Sequence, residues 1–154
     1  MAVDYFLLIS GIEGESVDAK HKGWIDVESW SWGETQSGPA GSGGGGGAGK
    51  VTFQDFHFVS KVSKASPALF LACASGQHIK EAKLAGRKAG KGQQEFLTWT
   101  FSNVIVSSYQ TGGAEGADAT FDQISLKASK AQITYSAVTP PITAGWDSKT
   151  NTKV

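Results

Sequence analysis

Gly43-Gly44-Gly45-Gly46-Gly47-Ala48-Gly49-Lys50-Val51-Thr52-Phe53-Gln54-Asp55-Phe56-His57-Phe58-Val59 is the stretch on which the fold turns. Gly44 to Lys50 fits the first seven positions of a phosphate-binding loop, in which backbone N–H groups and a lysine cradle phosphates. The eighth position needs Ser or Thr to reach magnesium, and the chain has Val51. Such a loop must also open a helix, whose N-terminus supplies positive dipole. Val51 to Val59 is instead β-branched and aromatic, the composition of a strand. The pattern therefore argues against a nucleotide site, which ranks third among the readings of this chain. Ser37 to Lys50 remains as a long, uncharged, glycine-rich loop between strands, of a length that is usually functional or disordered. Glycine pays the largest ordering entropy, so a run of it is not fixed by its own side chains. A partner surface is what would order it.

Outward from this loop, alternation dominates. Val3 to Ile12 is apolar and β-prone, with Tyr5, Leu7 and Ile9 on one face and Asp4 and Ser10 on the other. Gly11 to Lys22 is a polar turn region. From Gly23 to Gln36, Trp24, Asp26, Glu28, Trp30 and Trp32 share one parity, and Ile25, Val27, Ser29 and Ser31 the other. Both faces are mixed, so one or both meet something other than plain water. Val51 to Val62 reads as a strand. Ser66 at the N-cap and Pro67 at the first helical position then open a helix of about ten residues that Gly76 closes. Leu69, Phe70 and Cys73 have the spacing to pack it on a sheet. Strand signals return at Gln77 to Leu84, Gln94 to Gln110 and Ala119 to Ala137, and the tail from Thr139-Pro140-Pro141 leaves regular structure, although Trp146 has the means to dock back. These elements predict a mainly β fold, a closed or sandwiched antiparallel sheet with one helix at its end.

Composition narrows the function classes. With 154 residues, 40% hydrophobic and 18% charged, the chain fits one globular domain with a real core. Its 14 basic and 14 acidic residues cancel, leaving no bulk electrostatic reason for nucleic acid or an anionic membrane as partner. Lys80, Lys83, Arg87, Lys88 and Lys91 read as a solvated strand face, because aromatics do not interleave them. The single cysteine, Cys73, excludes an intramolecular disulfide and reads as a small buried thiol. The start Met1-Ala2-Val3-Asp4 lacks the basic region of a signal peptide, and no run reaches the ~20 apolar residues of a membrane span.

Catalytic chemistry finds few candidates. His21, His57 and His78 are far apart, with no partner at metal-ligand or triad spacing, and read as solvated or hydrogen-bonded histidines. The carboxylate pairs Glu13 with Glu15 and Asp118 with Asp122 would need an apolar cleft to split their titrations. Five tryptophans either fill the core or a subunit seam, or form a stacking platform for sugar or base; the basic groove that usually accompanies such a platform is missing. The inventory favours a non-enzyme without cofactor or metal.

Asp4-Tyr5-Phe6-Leu7, Gly14-Glu15-Ser16, His21, Ile25-Asp26-Val27, Trp30-Ser31-Trp32-Gly33 and Gln36-Ser37-Gly38 stand in a recognisable order. Gly45-Gly46-Gly47-Ala48-Gly49-Lys50, Ser66-Pro67, Ala82-Lys83-Leu84, Arg87-Lys88-Ala89-Gly90, Val106-Ser107-Ser108, Ser125-Leu126, Tyr135 and Gly145-Trp146-Asp147 continue it over nearly the whole chain. In this order and spacing the sequence resembles the haemolysin-coregulated protein (Hcp) family, the tube proteins of bacterial type VI secretion. It departs from the family pattern at Val62-Ser63-Lys64 and Lys127-Ala128, which bears on local contacts only.

The resemblance implies a single domain over 1–154: a small antiparallel β-barrel of two sheets with a short flanking helix, a glycine-rich loop over 37–50 and an irregular tail over 139–154. It implies homohexameric rings that stack into a tube. A contractile sheath drives that tube out of the cell behind a spike, with effector proteins in the lumen or fused to the subunit. The chain has no room for a fused effector and is expected to be the plain structural version. It would assemble in the bacterial cytoplasm and leave without a cleavable signal peptide. Gly38, Gly43, Gly44, Gly45, Gly46, Gly47, Gly49 and Lys50 are the expected subunit or ring contacts. Ser29 and Ser31, opposite Trp30 and Trp32, read equally as lumen or effector contacts and as an ordinary solvated face. The competing class is a small β-barrel binding sugar or lipid through its aromatics, without catalysis.

Overall fold

The computed structural model describes residues 2–38, 49–89 and 92–154. Among them the chain is mainly β, in antiparallel pairings, with one helix. In chain order the elements are β1 (Val3–Ile9), β2 (Ile25–Val27), β3 (Ser29–Ser31), β4 (Glu34–Gln36), β5 (Val51–Phe53) and β6 (Phe56–Lys61), followed by helix α1 (Ala65–Ser75). Then come β7 (Ile79–Lys88), β8 (Glu95–Gly112), β9 (Phe121–Tyr135), β10 (Ile142–Asp147) and β11 (Thr152–Lys153).

Two long strands organise the rest. β8 and β9 pair along nearly their whole length, with a bulge between Val106 and Ser108. The other edge of β9 is divided: Phe121 to Leu126 take β6, and Lys130 to Tyr135 take β10. Beyond β8 the order runs β7, β1, β2, while β3 lies on β6. The strand expected over Gly23 to Gln36 is thus broken into three, because β2 belongs to β1 and β3 to β6. Glu28 sits at the change of partner, its N–H donating to the Val59 carbonyl at 2.8 Å. Val51 to Val62 is broken likewise at Gln54 and Asp55, where the Gln54 N–H donates to Gly33. The pairing yields one nine-stranded sheet and a separate two-stranded ribbon, β4 with β5, rather than a pair of comparable sheets.

The tail over 139–154 is not irregular. After the Thr139-Pro140-Pro141 turn, Ile142 to Asp147 align on the free half of the β9 edge and β11 folds back onto β10. An unpaired strand edge is costly to leave bare, and this segment covers it.

The core is filled from alternate positions: Leu7, Ile9, Ile25, Phe56, Phe58, Leu84, Phe101, Val104, Ile124 and Leu126 are almost fully buried. Trp30 and Trp32 pack against it beside Tyr5, Phe53 and Trp99, as the core-filling alternative for the tryptophans expected. Helix α1 seals one side through Leu69 and Ala72, not through Phe70, which is 60% exposed. Its N-cap is Lys64, without a capping side chain. Ser66, the expected cap, donates to buried Asp122 instead, and the Ser63 hydroxyl accepts from the Ala65 N–H at 3.2 Å. Asp122 claims the Ser66 hydroxyl because a buried carboxylate needs donors; Tyr109 supplies another at 3.0 Å. Gly76 ends the helix in the left-handed conformation that favours glycine, φ +65°.

Candidate functional site: an uncharged sheet face and a hairpin neck

Strand registers place Ser29 and Ser31 in two transverse rows on the outer side of the sheet. Ser31 faces His57, His57 faces Ser125, and Ser125 faces Ser108. One step along, Ser29, Val59, Gln123 and Gln110 form the second row. Between them the row Trp30, Phe58, Ile124 and Tyr109 turns to the core side, as period-2 alternation requires. The two outward rows line a shallow depression of about 500 Å³. No Asp, Glu, Lys or Arg lines it among the described residues, and His57 is its one titratable group. His57 Nδ1 is 2.5 Å from Ser125 Oγ.

This face has little means of catalysis. The Ser125 and His57 pair has the start of a nucleophile and base, yet no carboxylate in the depression orients the imidazole. Among the described residues no cluster of three or more His, Cys, Asp or Glu could hold a metal ion. What the face offers is a wall of small hydroxyls and carboxamides that hydrogen-bond to water or polypeptide without a charge preference. His57, Val59, Ser108, Gln110, Gln123 and Ser125 join Ser29 and Ser31 there. Sequence parity marks His57 and Val59 as alternating against Phe56 and Phe58, but which strands become neighbours is not written in any one of them.

The glycine-rich loop sits elsewhere, at the tip of the β4 and β5 ribbon. Gln36 faces Val51 at the last pairing, and the neck is then held by Gly38 N–H donating to Gln36 Oε1 at 3.0 Å. A Cβ on Gly49 would meet the Gly38 nitrogen and the same Gln36 oxygen near 2.6 Å, so the neck admits only glycine there. Lys50 is exposed. The expected contact residues Gly43, Gly44, Gly45, Gly46 and Gly47 lie outside the described residues. Because Val51 begins a strand and not a helix, the phosphate-loop resemblance lacks its required partner.

The aromatic surface suited to a sugar or lipid is small. Trp32, Phe53, Trp99 and Trp146 line a pocket of about 170 Å³, below the 300–1,000 Å³ range of ordinary ligand cavities. Nor are the basic residues expected on a solvated strand face all solvated. Arg87 is 5% exposed; its guanidinium bonds Asp18, and Asp4 Oδ2 at 3.2 Å, and lies over the Phe6 ring. No helix of the described residues is long and apolar enough to cross a membrane.

Comparison with known proteins gives consistent neighbours. The family model described as "Type VI secretion system effector, Hcp" matches residues 6–135. Protein Hcp1 of Pseudomonas aeruginosa is 42% identical over 159 residues, covering 98% of this chain and 98% of its own. The crystal structure of Hcp1 from Salmonella typhimurium superposes with TM-score 0.88 at 40% identity, over 100% of each chain. Hcp2 from the same organism superposes with TM-score 0.78 at 36% identity, over 97% of this chain and 98% of its own.

Proposed function

The chain belongs to the Hcp family and is a type VI secretion tube subunit, and on that premise we propose how its surfaces serve a tube. We read the sheet as curling into a small barrel, a reading supported by β2 and β3 following one another in the chain across Glu28, β2 on β1 and β3 on β6. Copies dock edge to edge through unlike patches, and a rotation that closes gives a ring, here of six. Rings with complementary ends pile into a filament, and zero net charge keeps self-repulsion low. The partners are then further copies of the chain, a spike, a sheath and effector proteins. Assembly is cytoplasmic and export follows with the tube.

The observation that carries this reading is the uncharged face of Ser29, Ser31, His57, Ser108, Gln123 and Ser125. Turned inward, it gives a lumen wall along which folded cargo of either charge lies without electrostatic capture. Ser31→Gln narrows that wall without touching the core. Rings are expected to persist while co-purified effector falls several-fold; undiminished effector recovery on intact rings removes the lumen assignment. The ribbon tip, Ser37 to Lys50, is the contact arm toward the neighbouring subunit or ring, where its backbone groups find hydrogen-bond partners.

A further inference from the structure

The segment between β1 and β2 is fastened to the sheet by polar side chains around one buried histidine. His21 is 1% exposed. Its ring stacks on Phe6 with centroids 4.3 Å apart, and Trp24 closes the edge at 4.8 Å. Nδ1 lies 2.7 Å from Asp18 Oδ2, and Nε2 lies 2.6 Å from Glu95 Oε1 at the start of β8. An ionised carboxylate only accepts hydrogen bonds, and a neutral imidazole has one N–H to give. With a single proton on the ring, one of these short contacts would set a nitrogen lone pair against a carboxylate oxygen.

We infer that His21 is held as the doubly protonated cation and works as a proton-dependent latch, fastening the segment from Gly11 to Gly23 onto the head of β8. The charges around it fit. Asp18 comes from the segment itself, Glu95 from β8, Arg87 from β7 and Asp4 from β1, with Asp26 of β2 close enough to Asp18 to feel its charge. Arg87 alone does not offset those carboxylates, and the imidazolium supplies the second cation. The latch contributes while the ring keeps both protons and is released as pH rises and one is lost. Neither the fastening nor its release depends on the tube reading.

The test is amide hydrogen exchange on the full chain, over residues 12–24 and 95–97, at several pH values from 6 to 9 and corrected for intrinsic rates. Losing a charge-assisted bond corresponds to at least about tenfold in opening. Wild type is expected to lose about tenfold protection as pH rises, whereas Glu95→Gln, whose carboxamide N–H donates to the unprotonated Nε2 of a neutral ring while Nδ1–H stays on Asp18, loses much less. Nitrogen-15 spectra of the histidine rings should show two protonated nitrogens for His21 at pH 6. A pyridine-like nitrogen on His21 at pH 6, or protection in wild type that does not change with pH, overturns the latch.

Discussion

Arg87 shows how a side chain read as solvated can become a fastening. In sequence it stands among lysines on a strand; in the fold, the segment after β1 covers it and brings Asp18 against it. Alternation along one strand says which face a residue takes, not whether another segment will cover that face. The same limit applies to Phe6, which lies off the parity of Leu7 and Ile9 yet is buried under His21. Arg87, followed by His21, holds the Asp18 carboxyl down from 3.8 to about 2. The sign follows: a depressed carboxylate stabilises fully above its unfolded value, and that share is lost as pH falls from 3.8 toward about 2. Arg87→Lys replaces a planar fork with a point charge, so Asp18 protonates at higher pH. Acid unfolding followed by circular dichroism should begin at higher pH in this variant, with a lower melting temperature at neutral pH; coincident acid transitions would show that Arg87 does not set the Asp18 titration.

At the scale of elements, the order of strands and the single helix were legible from alternation, from Ser66-Pro67 and from Gly76. What was not legible was where a strand changes partner, since Glu28 and Gln54 carry no turn signal of their own. The tail's strands are not legible in the sequence because Pro140-Pro141 marks a turn and says nothing about the open β9 edge that Ile142 to Asp147 cover. On helix α1, spacing offers Leu69, Phe70 and Cys73 alike, and the sheet takes Leu69 with Ala72 and a partly buried Cys73 while Phe70 stays exposed. Leu69→Ala, leaving a void in a filled core, is expected to cost about 2–5 kcal/mol in urea unfolding at fixed protein concentration. Phe70→Ala, at a 60% exposed position, should cost about 1 kcal/mol or less. Equal losses would mean that the helix presents a different face to the sheet. The β4 and β5 ribbon calls for a different kind of test. Replacing Gly43 to Gly47 by a shorter rigid turn should leave rings folded and shorten tubes in electron micrographs; tubes of unchanged length would mean that the arm makes no growth contact.

For the whole molecule, the uncharged face is a product of topology. Ser29 and Ser31 were visible in the sequence as opposite to Trp30 and Trp32, but the wall they belong to needs β3 on β6, β6 on β9 and β9 on β8. Four strands from distant parts of the chain build it, β3, β8 and β9 giving serines and glutamines and β6 giving His57 and Val59, and none shows the pattern alone. Family resemblance supplied the assembly; strand pairing supplies the surface that assembly would enclose. A side-chain-resolution electron cryomicroscopy map of the purified protein joins the two. Six-membered rings with Ser29, Ser31 and His57 on the inner wall are the predicted result, and lone protomers, or rings carrying that face outward, would contradict it.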